Sequence, residues 1–511
     1  MVAATASSTE GVAAGQGSYV QILKSTIAIG ASSVVGIGFG IVRSKCLALL
    51  LGPSGIGLFG LYNSIVDLSA SIASLGIQTS GVRQIAEAAG TQDEQRIARA
   101  VTVLRQISVL LGLAGGVLLA ALSLPVSLLT FGNEARALPV ALLGVAVLLR
   151  LVGGGQTALI QGLRRIGDLA WLAVLAAAGS TLVSVPIVYL IGEEGIVPSI
   201  IAMTLASTTV SWWFDRRTAV KSVRMTVSQK LQESVALLKL GAAFLASGLL
   251  TLGASYAIRL LVLRYAGVEQ TGLYQAAWTL GGLYAGFVLQ AMGTDFYPRL
   301  TAVAKDNAKC STLVNEQAEI GMLIATPGVL ATLTFAPIVV VGFYSSEFYA
   351  AGELLRWICL GMALRVVAWP IGYIVVAKGE QLIFFATEVA TTVIHLGLTW
   401  LLIVFVGLDG VGQAFCLLYV WHTVLIYFIA HRRYGFRFSL ANKKLGVSLL
   451  ASTALVFGST RFFSVELATL IGATAVFLSG AFSIRRLRDV VPAESVLAIT
   501  QLGNFLSKRR G

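Results

Sequence analysis

Charge is what this sequence has least of. Of its 511 residues only 12% are Asp, Glu, Lys or Arg, about half the share of a soluble domain, and no shift in composition separates the three soluble domains that the length could fill. Cysteine is nearly absent. Cys46, Cys310, Cys359 and Cys416 stand singly, without the spacing of a disulfide framework or a zinc site, so they are expected as small apolar packing residues. The three histidines, His395, His422 and His431, make no HExxH or other ligand pair on one helical turn. No GxxxxGK followed by Ser or Thr occurs, which excludes ATP hydrolysis by a P-loop in this chain. Residues 1–18 lack a charged region followed by an apolar run, so no cleaved signal peptide is expected. No cofactor or metal is expected.

What remains is hydrophobic. The chain is 56% apolar with a mean hydropathy of +0.84. A membrane helix needs about 20 apolar residues, and fourteen of them about 280, which the apolar content supplies. Apolar spans run at 20–42, 56–83, 102–125, 138–162, 168–191 and 195–214, then at 237–263, 271–296, 318–342, 354–377, 381–406 and 410–430, with two more at 445–463 and 465–484. The expected fold is an all-α polytopic membrane protein of about fourteen helices. Its parts are a disordered cytoplasmic N-terminus (1–18), an N-lobe (19–214), a basic amphipathic linker (215–236), a C-lobe (237–431), two extra helices (432–484) and a basic tail (485–511). The linker and the tail from Pro492 alternate basic and apolar residues at helical spacing, as surface helices on the inner leaflet would.

The formal charge of +13 suits nucleic acid in total but not in placement. Alternate loops collect Arg and Lys: Arg96 and Arg99, Arg164 and Arg165, then Arg216, Arg217, Lys221, Arg224 and Lys230. Further on, Lys378, then Arg432 to Lys444, then Arg485 to Arg510 continue the pattern. Cytoplasmic loops retain such residues, so both termini are expected on the cytoplasmic side and no nucleic acid partner is expected.

The two halves repeat at one constant offset, that of Lys24 to Lys239. With these two in register, Ala28 meets Ala243, Ser32 meets Ser247, Gly38 meets Gly253, Gly52 meets Gly267, and Gly57 meets Gly272. The same offset carries Arg150 onto Arg365, both central in their spans. Six spans separate the copies, an even number, so the halves share one orientation, and a substrate cavity is expected between them. The last two spans fall outside the repeat.

An ionised Arg at a helix centre costs roughly 2.5–3.5 kcal/mol on insertion scales. Arg150 and Arg365 therefore either face a water-filled cavity or pair with an acidic neighbour. With Lys24, Lys239, Arg43 and Arg259 they would make a ladder of cations suited to phosphate, which the planar guanidinium binds bidentately. Asp67 and Glu388 are the candidate carboxylates for coupling to a proton or sodium ion. Asp67 serves equally as counter-ion to Arg43 or Arg150. The run Gly153–Gly155 just past Arg150, matched by Pro370, is expected to bend or loosen its helix.

The segments RSKCLALLLGPSGIGLFGLY (Arg43–Tyr62) and SLGIQTSGVRQIAE (Ser74–Glu87) resemble the start of Wzx-type polysaccharide flippases, members of the multidrug/oligosaccharidyl-lipid/polysaccharide exporter superfamily. The resemblance implies flipping of a polyprenyl-diphosphate-linked oligosaccharide across the bacterial inner membrane for O-antigen or another surface polysaccharide. It also implies a cationic lumen for the diphosphate, matched here by Arg150 and Arg365, and, as partners, a polysaccharide polymerase and a chain-length regulator. Trp278, Tyr284, Trp357, Trp369 and Tyr373 are candidates for stacking on sugars. A lipid II flippase and a cation-coupled multidrug exporter share the architecture. A polymerase or ligase enzyme would need a large outer loop with catalytic residues, and the outer loops here are short and nearly uncharged. A passive channel would not need a duplicated pair of midplane cations.

Overall fold

The computed structural model describes the backbone of residues 6–91 and 93–490; the side chains of 6–31, 33, 236, 242–244, 247, 284–295 and 490 lie outside the description. The expected surface helix in the tail from Pro492 falls outside the described residues. Among those described there is no strand. The chain is a multi-pass membrane protein, and it clusters into two units, Met1–Leu263 and Arg264–Gly511.

The first unit holds α1 (Ala6–Ser74), α2 (Ile77–Gly90), α3 (Glu94–Ala121), α4 (Ser123–Phe131), α5 (Ala137–Gly162), α6 (Ile166–Ile191), α7 (Ile196–Arg217) and nearly all of α8 (Val227–Ala266). The second holds α9 (Val268–Ala302), α10 (Asn307–Phe343), α11 (Ala351–Ala377), α12 (Gln381–Val406), α13 (Asp409–Tyr434), α14 (Leu440–Phe462) and α15 (Val465–Val490). Their outward faces are apolar: Leu190 is 79% exposed, Phe405 78% and Phe462 85%, which only a lipid surround makes inexpensive.

Eleven described segments are long and apolar enough to cross a membrane. Two of them, Val34–Ser74 and Ile166–Arg217, each contain two spans, broken at Gly52 and Gly192. With α9 they make the fourteen expected. The breaks recur at the offset that relates Lys24 to Lys239. It carries Gly52 onto Gly267, Gly192 onto Gly407, and Arg164 onto Gly379, and all six residues have positive φ. Glycine suits such turns because a Cβ disfavours positive φ. The same offset carries Ile166 and Ile191, the ends of α6, onto Gln381 and Val406, the ends of α12.

Three expectations are corrected. Residues 6–18, expected to be disordered, belong to α1; the stretch holds no proline, the residue most disruptive to a helix interior. The basic linker is not a surface helix throughout. Residues 218–226 are non-helical, because their backbone groups bond elsewhere: Arg105 Nη1 donates to the Val220 carbonyl at 3.1 Å and Val223 N–H to Thr102 Oγ1 at 3.1 Å. The second apolar span, read as 56–83, breaks at Leu75 and Gly76, both at positive φ. A Cβ on Gly76 would run into the Gly241 carbonyl oxygen of α8, so glycine here serves both the turn and the helix crossing.

The two extra helices pack within the second unit. Asn315 on α10 accepts from Ser439 N–H at 2.8 Å and donates to the Arg437 carbonyl at 3.0 Å. Arg486 on α15 pairs with Glu319 at 3.1 Å, and Arg461 on α14 with Glu353 of α11 at 2.8 Å.

Candidate functional site

Arg150 projects from α5 toward α1, where its Nη1 lies 2.5 Å from Asp67 Oδ1. Both side chains are partly exposed, at 47% and 35%. Arg150 lines a cavity of about 790 Å³ inside the first unit. The other walls combine apolar residues, among them Val82, Ile200 and Met203, with neutral polar ones: Asn63 from α1, Gln78 from α2, Gln161 from α5, and the hydroxyls of Thr204, Ser207 and Thr208 from α7. Arg83, paired at 2.8 Å with Glu87 one turn on, adds a second cation. Among the described residues no carboxylate belongs to the lining.

The glycine run explains how these walls come together. Helix α5 passes through Gly153–Gly155 without a break, which corrects the expected bend. Each glycine instead receives a side chain from a different helix. A Cβ on Gly153 would sit 3.0 Å from Thr208 Oγ1, one on Gly154 would strike Gln78 Nε2, and one on Gly155 would strike Ser108 Oγ. The absence of side chains lets α7, α2 and α3 close on one turn of α5. Thr208 Oγ1 also donates to the Leu149 carbonyl at 2.9 Å.

Arg365, the repeat partner of Arg150, has different surroundings. Its guanidinium carbon lies 5.5 Å from the Trp369 ring centre and 5.7 Å from that of Tyr419, within cation–π range. Its buried Nε has no hydrogen-bond partner among the described residues. The sequence accounts for the difference, position by position, at the offset that relates the two arginines. Asp67 corresponds to Gly282, so no carboxylate stands at the matching position of the second half. Gly154, Ser180, Thr204 and Ser207, which line the cavity, correspond to Trp369, His395, Tyr419 and His422. In the second unit large rings occupy those positions: His395 packs 5.8 Å from Phe415, and His422 Nδ1 lies 3.1 Å from Thr391 Oγ1.

The other candidates take separate places. Arg259 is only 9% exposed and donates from Nη1 to the Ser255 carbonyl at 3.0 Å, one turn back on α8. Arg43 is half-buried on α1 and Lys239 is exposed on α8. The Lys24 side chain lies outside the described residues, as does that of Tyr284. Glu388 is half-buried on α12, within electrostatic range of Arg365. Of the aromatic candidates, Trp278 packs on Tyr274 and Phe415, Trp357 on Phe457, and Tyr373 on Phe296, Tyr297 and Trp369. Among the described residues no group of three His, Cys, Asp or Glu side chains is placed to hold a metal ion.

Known proteins share both the sequence pattern and the fold. Residues 46–352 match the family model described as "polysaccharide biosynthesis protein". The chain is 23% identical over 430 residues to the lipid III flippase of Escherichia coli (strain K12), covering 78% of this chain and 96% of that protein. Its fold is similar to the lipid II flippase MurJ in an inward closed conformation, with a TM-score of 0.65 at 13% identity over 91% of this chain and 99% of that one. It is also similar to an inward-facing multidrug resistance MATE family transporter, with a TM-score of 0.64 at 16% identity over 80% and 95%.

Proposed function

The chain belongs to the polysaccharide biosynthesis protein family, and from that premise we propose that it flips a polyprenyl-diphosphate-linked oligosaccharide from the cytoplasmic to the outer leaflet of a bacterial inner membrane. The glycan would serve O-antigen or another surface polysaccharide. The protein acts as a transporter rather than an enzyme, by alternating access, with both termini cytoplasmic. The observation that carries this reading is the cavity around Arg150. It offers guanidinium for a diphosphate and a wall of neutral amides and hydroxyls for sugar hydroxyls.

A cavity for cationic drugs calls for an acidic or aromatic lining. Here the carboxylate beside the cavity, Asp67, is already neutralised by Arg150. The Arg150–Asp67 pair can release its arginine to an incoming diphosphate, because both side chains are partly exposed. Arg365, with rings around it in place of an ion pair, supplies a second site of positive potential. Glu388, within electrostatic range of it on α12, is the carboxylate to which we assign coupling by a proton or sodium ion.

The test is flipping in proteoliposomes without ATP. Purified protein is reconstituted with fluorescent polyprenyl-diphosphate oligosaccharides, lipid II and a cationic dye as parallel substrates. Protein-dependent loss of leaflet protection for the oligosaccharide lipids is expected. Preference for lipid II would move the reading to peptidoglycan precursors, and dye transport alone would contradict it.

A further inference from the structure

A second cavity, of about 590 Å³, lies in the first unit where α3, α5 and α7 meet the non-helical stretch 218–226. Four charged side chains line it, Arg105, Asp215, Arg216 and Lys221, three cations against one carboxylate. Asp215 is only 6% exposed and holds Arg105 Nη2 at 2.8 Å. The other two cations, Arg216 and Lys221, have no acidic partner among the described residues. The Arg216 guanidinium carbon lies 3.9 Å from the Trp212 ring centre, a stacking distance that leaves its N–H edge for an acceptor.

Two polar atoms in the cavity lining are buried and without a hydrogen-bond partner among the described residues: Ser108 Oγ and Arg105 Nε. Ser108 is 1% exposed, and a hydroxyl buried so deeply is costly to leave unpaired. It is a donor waiting for an acceptor. One side of the cavity is apolar and outward-facing, with Val109 43% and Trp212 42% exposed. Next to it Arg217 stacks on Trp213 at 3.6 Å. Tryptophan beside arginine at the end of an apolar helix is the composition of a membrane–water boundary.

We propose that this cavity binds the phosphate of an anionic phospholipid, as a resident ligand distinct from the transported one. Arg216 and Lys221 hold the phosphate oxygens, Ser108 and Arg105 Nε donate to the same headgroup, and the acyl chains lie along Trp212 and Val109. Basic pockets at the cytoplasmic ends of membrane helices suit anionic headgroups, and the basic loop after α7 has the charge expected of a cytoplasmic one. The headgroup would tie the end of α7 to the 218–226 segment, whose backbone is otherwise held to α3 through Val220 and Val223.

The test is lipid binding to the full-length protein in detergent, followed by native mass spectrometry with phosphatidylglycerol, phosphatidylcholine and inorganic phosphate as separate probes. Wild type is expected to retain phosphatidylglycerol in preference to phosphatidylcholine. Arg216→Gln with Lys221→Gln, both exposed and outside the Arg150 cavity, should weaken phosphatidylglycerol binding about 30-fold, at about 1 kcal/mol for each basic residue. Arg216→Lys should recover part of it. Equal retention of both lipids, or retention unchanged in the double variant, would overturn the proposal, and so would free phosphate displacing the lipid at equal concentration. Arg150→Gln should leave this binding intact, so failure here and failure of the flippase reading are separable.

Discussion

Arg150 and Asp67 sit 2.5 Å apart beside the cavity, and what each does alone differs. If Arg150 is the diphosphate ligand and Asp67 its resting counter-ion, then removing the acid should leave binding intact or tighten it. Removing the base should weaken it. Asp67→Asn is expected to hold a soluble prenyl-diphosphate analogue at least as tightly as wild type. Arg150→Gln should lose about 10- to 100-fold in affinity, the worth of a charged hydrogen bond. Isothermal titration on purified protein separates the two. The sequence marks both residues but not their pairing, since Arg43 is an equal partner for Asp67 until the packing of α5 on α1 decides between them. Nor does it single out Gln78, Gln161 or the α7 hydroxyls, because neutral polar residues in a membrane helix do not stand out from packing. Only comparison with their large counterparts in the second half distinguishes them.

Among the elements, α3 and α5 cross at glycines facing each other. A Cβ on Gly116 would lie 2.5 Å from the Gly144 carbonyl oxygen, and one on Gly144 would strike that of Gly116. Neither obstacle can rotate away. Gly144→Ala is therefore expected to force the helices apart and to destabilise the protein by about 1–3 kcal/mol, read as a lower Tm in detergent. Gly154→Ala meets only the end of the flexible Gln78 side chain, and should fold with little loss. The start of α10 makes a pH-dependent prediction. Asp306 caps it, accepting from Ala308 N–H at 3.0 Å and Lys309 N–H at 3.1 Å. The Lys309 backbone bond holds its carboxyl below the usual carboxylate range. A lowered folded pKa means the cap's stabilisation is complete above the ordinary carboxylate pKa and lost as pH falls through the folded value. Amide exchange at Ala308 and Lys309, relative to Asp306→Asn, should show protection in wild type that declines across that window. Such caps are not legible at residue resolution. The spans are, because a run of apolar residues this long has no other stable home than lipid.

For the whole chain, the duplication explains more than any single motif. Positive-φ turns recur at the same offset, from Gly52 to Gly267 and from Gly192 to Gly407, so the backbone kept its turns while the side chains diverged. The first half kept small residues around its arginine and has a cavity; the second placed Trp369, His395, Tyr419 and His422 at the equivalent positions. Copying the second half into the first should close the site. Thr204→Tyr with Ser207→His is expected to leave the protein folded and reduce flipping to the protein-free background, measured in the same proteoliposomes. The offset is legible from Lys24, Gly52 and Arg150 alone. The asymmetry is not, since it depends on which faces of α5, α6 and α7 turn toward one another. The basic stretch after Arg217 misleads for a related reason: helical spacing is present, but long-range partners on α3 take its backbone.

The most direct measurement compares lipid-linked oligosaccharide flipping by wild type and by Arg150→Ala with Arg365→Ala, reconstituted at equal density and checked for an unchanged Tm. Loss of flipping in the folded double variant, with wild type active without ATP, is the predicted result. Equal flipping by both proteins would contradict the assignment of the duplicated arginines as the anion site and return them to holding the helices together.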